Sequence, residues 1–164
     1  MKKILVVEDD VIISEFVCAM LIETEKYEPI AVYNGQEALN CLDNYKSATS
    51  RTGYEIAAIV LDLKMPVMDG MEFLSHLSDI ERVRKKMIPI IVLSSYENYD
   101  IWQQISDFRL RIVYDYLKKP ILPYENELLK TLERLFQYKN YEKNMYEFWC
   151  KGLDKMVAFN SAKR

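Results

Sequence analysis

Five short apolar runs rich in β-branched residues recur along the chain: Lys3 to Val7 (KILVV), Pro29 to Tyr33 (PIAVY), Ile56 to Leu61 (IAAIVL), Pro89 to Leu93 (PIIVL) and Ile112 to Leu117 (IVYDYL). Their apolarity is continuous rather than alternating, which predicts strands covered on both faces. Between them, apolar residues fall at three- and four-residue spacing, as in Ile13, Phe16, Val17, Met20, Leu21 and again in Phe73, Leu74, Leu77, Ile80. That spacing predicts helices with one apolar stripe. Strand and helix in alternation predict a parallel sheet with helices on both faces, because right-handed crossovers carry each helix over the sheet. The pattern therefore predicts an α/β fold, a five-stranded parallel doubly wound sheet over residues 1–122, followed by a helical C-terminal extension over 123–164. In 164 residues a second full-sized domain does not fit.

Scarcity removes whole classes of function. The glycines Gly35, Gly53, Gly70 and Gly152 are never closer than 17 residues apart, so neither a P-loop nor a GxGxxG fingerprint can form. His76 is the single histidine, which excludes HExxH and multi-histidine metal centres; it reads as an ordinary helix residue. Cys18, Cys41 and Cys150 show no metal-knuckle spacing and fit a reducing, cytoplasmic compartment. No apolar run approaches the roughly 18 residues of a membrane span, and MKKILVVEDD turns acidic too soon for a signal peptide.

With 22 Lys and Arg against 25 Asp and Glu, the net charge of −3 announces no polyanion partner. Residues 121–164 carry eight basic and six acidic residues, so direct DNA binding by this chain is not expected. Asn44 to Tyr54 (NYKSATSRTGY) reads as a surface loop, and the basic run Glu81 to Lys86 as a solvated helix end.

In an open parallel sheet, ligands bind beyond the strand C-termini at the topological switch point. The first strand runs into Glu8, Asp9 and Asp10, the third into Asp62, the fourth into Ser94 and Ser95, and the fifth into Lys118, Lys119 and Pro120. Carboxylates crowded at one sheet edge call for a counter-charge, and a hard divalent cation with oxygen ligands supplies one; Mg²⁺ is the natural candidate. Taken singly, the first acids could be helix-capping residues and Lys119-Pro120 a strand stop.

VVEDD after the first strand, VLDLKMPVMDG at the third, PIIVLSS at the fourth and DYLKKP at the fifth stand in order over about residues 3–121. In these motifs the chain resembles the response-regulator receiver domain of two-component signalling, the family of the chemotaxis regulator. The resemblance implies a flavodoxin-like fold with strand order 2-1-3-4-5. It also implies that Asp62 is the phosphoacceptor, that Glu8, Asp9 and Asp62 organise Mg²⁺, and that Ser94 and Lys119 bind the phosphoryl group. Tyr116 matches the aromatic switch position, and Lys64 and Tyr96 flank the path of hydrolytic water. Ser94 stands where threonine is commoner, with the hydroxyl retained, and Asp10 is an extra acid without an assigned role.

By the same resemblance the phosphoryl donor is a sensor histidine kinase or phosphotransfer protein, and output runs through protein contacts. A homodimer would form through the face of the fourth helix and fifth strand or through the C-terminal helix. Two other functions fit parts of the pattern. An aspartyl-nucleophile phosphohydrolase also places Asp after a parallel strand, but wants a second Asp two positions on, where Lys64 stands. A receiver-like interaction module without switching would need none of Asp62, Ser94 and Lys119.

Overall fold

A computed structural model describes residues 1–52, 56–79, 88–95, 113–119 and 125–137, with only the backbone described over 45–52. Five parallel strands form one sheet: β1 (Lys2–Val7), β2 (Tyr27–Val32), β3 (Ile56–Leu61), β4 (Ile90–Ser94) and β5 (Val113–Lys118), in the order β2-β1-β3-β4-β5. The helices are α1 (Val11–Glu23), α2 (Gly35–Thr52), α3 (Gly70–Asp79) and, after β5, α4 (Glu125–Gln137). Tyr96, the helix expected between the fourth and fifth strands, the basic run Glu81 to Lys86 and everything after Gln137 lie outside the described residues.

The continuous apolar runs have a direct structural cause. Leu5 and Val7, Ile59 and Leu61, and Ile90 and Val92 point to one face, where Ala38, Leu42, Phe73, Leu74 and Leu77 of α2 and α3 complete a buried cluster. Ile4 and Val6, Ala58 and Val60, and Ile91 and Leu93 point to the other, against Val17 and Leu21 of α1 and Leu128, Leu132 and Leu135 of α4. Side chains alternate across a strand, so two apolar faces make every position apolar.

One sequence expectation needs correction, and another gains a structural setting. Leu128, Leu132 and Leu135, in the stretch expected as a C-terminal extension, are at most 2% exposed, so α4 packs with α1 on one face of the sheet. Truncating any one of these leucines to alanine would cost about 2–5 kcal/mol. The loop expected from Asn44 is helical backbone up to Thr52. Ser, Thr and Asn each lower helix propensity by less than about 0.7 kcal/mol, and no Gly or Pro interrupts α2 before Gly53.

Candidate functional site

Strand order reverses between β1 and β3, and both strands end at the crevice so formed. Pairing continues one residue past the strands, with Glu8 N–H donating to Val32 O (3.1 Å) and Asp62 N–H to Val7 O (2.9 Å). The two carboxylates are thereby held on rigid backbone rather than on a free loop. Glu8 and Asp62 are buried and Asp9 is exposed; one carboxylate oxygen from each lies within 4.8 Å of the others.

From β5, Lys119 is carried to the same crevice, its own N–H donating to Ser94 O at 2.8 Å. Its Nζ donates to Glu8 Oε1 (2.9 Å) and Asp62 Oδ2 (2.8 Å) and lies 2.7 Å from Glu8 Oε2. Burial works against the Lys119 ammonium, but hydrogen bonds and charge from Asp62 and Glu8 outweigh it and hold this lysine above its ordinary range. Burial pushes the Glu8 carboxyl up, Lys119 opposes that shift, and the Asp62 charge adds to it.

Three carboxylates against one ammonium leave a formal charge of −2 in the crevice. Two buried carboxylates sharing a single ammonium beside a third carboxylate make an oxygen donor set that fits a hard divalent cation.

Ser94 is buried at the end of β4, next to Lys119 through the backbone bond just described. Tyr116 is half-buried on β5 and packs against the α2–α3 cluster. Its N–H donates to Asp115 Oδ1 (2.9 Å), and Asp115 Oδ2 accepts from Thr131 of α4 (3.3 Å). Lys64 is exposed; its backbone N–H donates to Asp62 Oδ1 at 3.2 Å, which orients that carboxylate. Glu8, Asp9, Asp62 and Lys119 thus converge, with Ser94 beside them, while Tyr116 stands farther along β5.

Asp10 has a role of its own: it is the N-cap of α1, with Oδ1 accepting from Ile12 N (2.9 Å) and Ile13 N (3.1 Å). The third acid of VVEDD is therefore a helix cap, and only the first two face the crevice. Gly70 closes the VLDLKMPVMDG motif. A Cβ there would strike the Asp62 carbonyl and Leu63 Cα, so glycine lets α3 start directly behind Asp62. The Asp69-Gly70 turn was its only sequence signal.

Residues 4–133 match the family described as the response regulator receiver domain. The chain is 32% identical over 152 residues to a protein-glutamate methylesterase/protein-glutamine glutaminase of Clostridium acetobutylicum, covering 87% of this chain and 39% of that protein. It is 31% identical to the alkaline phosphatase synthesis transcriptional regulatory protein PhoP of Bacillus subtilis, covering 81% and 49%. The chain thus spans half or less of either relative. Among solved structures it is similar to the phosphorylated cyanobacterial phytochrome response regulator RcpA (TM-score 0.66, 28% identity, 83% of this chain and 94% of that one). It is also similar to the Mn²⁺-bound response regulator Rcp1 (TM-score 0.64, 25% identity, 85% and 96%). Two buried acids at a switch point, a lysine joining them and a family match over most of the chain converge: this chain belongs to the response regulator receiver domain family.

Proposed function

We propose that the chain is a phosphorylatable signalling switch in which Asp62 accepts a phosphoryl group from a sensor histidine kinase or phosphotransfer protein in the cytoplasm. The observation that carries this reading is the pairing of Lys119 with both Glu8 and Asp62 inside a crevice that remains two charges negative.

Glu8, Asp9 and Asp62 would hold Mg²⁺. Bound there, the ion would neutralise charge on the transferring group. Asp62 supplies the nucleophile: a carboxylate oxygen forms the new O–P bond while the donor's N–P bond breaks, and the donor imidazole, already protonated on its other ring nitrogen, leaves as the neutral ring. Lys119, released from one of its two carboxylates, binds a phosphoryl oxygen, and the Ser94 hydroxyl donates to another. The aspartyl phosphate adds roughly two negative charges where Asp62 had one. Movement of Ser94 toward it frees space for Tyr116, which would alter the β5 face and its protein contacts, a homodimer among them. Lys64 and Tyr96 flank the path of hydrolytic water and would set the phosphoryl lifetime.

Intact mass after incubation with acetyl phosphate or phosphoramidate and Mg²⁺ tests this. The expected result is one added phosphoryl group on the wild type, absent from Asp62→Ala and from a chelated control. No addition with either donor would favour an interaction module that does not switch.

A further inference from the structure

The loop from Asp62 to Gly70 contains a backbone conformation that nothing in the phosphoryl chemistry requires. Val67 has φ 70°, a left-handed value that a β-branched residue adopts only at a cost, and Met68 N–H donates back to Pro66 O at 2.8 Å around it. Val67 is 83% exposed, so its own side-chain packing does not hold the turn. Strain of this kind persists only where the surroundings fix it.

What fixes it is the start of α2. Gly35 is the first helical residue, and its N–H, one of the donors a helix start leaves unpaired, donates to Met68 O at 2.9 Å. Glycine is needed for the approach: a Cβ would lie 2.7 Å from Met68 Cγ and 3.0 Å from Met68 O. The helix start is itself anchored. Asn34 Oδ1 accepts from Glu37 N (2.9 Å), while Glu37 accepts from Tyr33 N and Asn34 Nδ2 (both 2.9 Å). On its other side the loop is closed by Gly70 N–H on Leu63 O (3.0 Å), and Lys64 N–H holds Asp62 Oδ1.

We infer that Gly35 is a positioning residue for the phosphoacceptor: its contact with Met68 holds the strained turn at Val67, and the turn in turn sets the Lys64 N–H that aims the Asp62 carboxylate. The inference rests on Asp62 being the phosphoacceptor. A methyl group at position 35 displaces Met68, and stiff Val67 passes that displacement back toward Lys64 instead of absorbing it.

The test compares phosphorylation rates with phosphoramidate and Mg²⁺ for wild type, Gly35→Ala and the double variant Gly35→Ala/Val67→Gly, with circular dichroism confirming the fold. Gly35→Ala is expected to react about tenfold more slowly, and the double variant to return to within about threefold of wild type, because glycine at 67 absorbs the shift locally. Should Gly35→Ala alone fail to fold, the double variant decides: folded and fast supports the inference, folded and slow overturns it. Gly35→Ala reacting at the wild-type rate overturns it while leaving Asp62 as acceptor. A wild type that takes no phosphoryl group overturns both.

Discussion

The two ends of the sheet handle charge in opposite ways. At the C-terminal edge, Glu8, Asp62 and Lys119 are all less than 9% exposed and bound to one another. At the N-terminal edge, Lys26 and Glu133 form a 2.8 Å ion pair with side chains 62% and 44% exposed. Beside it the Tyr27 and Phe136 rings pack 5.9 Å apart and Lys2 Nζ sits 5.0 Å above Phe136. Burying an ion cluster stabilises a fold poorly compared with apolar packing, whereas an exposed pair neither costs nor contributes much. The buried cluster is thus explained by what it can bind, and the exposed pair needs no such explanation.

Removing the lysine breaks this asymmetry most severely. Lys119→Met leaves Glu8 and Asp62 buried without their counter-charge and is expected to lose about 3 kcal/mol in chelator, measured by urea denaturation. Millimolar Mg²⁺ should recover a large part of that loss, since a divalent ion answers the same two carboxylates; no recovery would count against a cation in the crevice.

Alkali probes the other end. Burial raises the Tyr27 phenol above its ordinary 10.0, Glu133 adding to the shift and Lys26 opposing it, and burial likewise raises the Cys18 and Cys41 thiols above 9.0. These groups ionise more readily in the unfolded chain. Their contribution is therefore complete below pH 9, declines as pH rises through the ordinary thiol and phenol values, and is lost above the raised ones. Melting temperature is expected to fall between about pH 9 and pH 11, less steeply in Tyr27→Phe.

Val67→Gly in the otherwise native chain should stabilise by about 0.5–1 kcal/mol, relief of the left-handed strain exceeding the added backbone entropy; a destabilised variant would mean that the turn carries no strain. Smallest of all, Lys26→Ala should leave the melting temperature unchanged within error, because the pair it removes is open to solvent.

Much of this was legible in the residues. KILVV, IAAIVL and PIIVL read as two-sided strands because β1, β3 and β4 do feed both buried clusters. Glu8, Asp9, Asp62, Ser94 and Lys119 could be singled out because each lies at or within two residues of a strand's C-terminal end, and those ends share one edge. Less legible was anything set by what a face packs against. The stripe of Leu128, Leu132 and Leu135 announces a buried side but not its partner, which is the cluster α4 shares with α1 on one face of the sheet. Asp10 had no assigned role in the sequence because capping and metal binding favour the same side chain at a helix start. Gly35 attracted no notice, since its purpose lies in a loop 33 residues away.

The path of α4 has a consequence for how such a unit combines with others. Met1 and Lys2 line one crevice together with Phe136 and Gln137, so the described fold is entered and left at neighbouring points. The thirteen residues of α4 span about 20 Å from the β5 side of the switch edge to that doorway. Adjacent doorways permit circular permutation, and they let a whole unit be spliced into a surface turn of a larger protein without stretching its host.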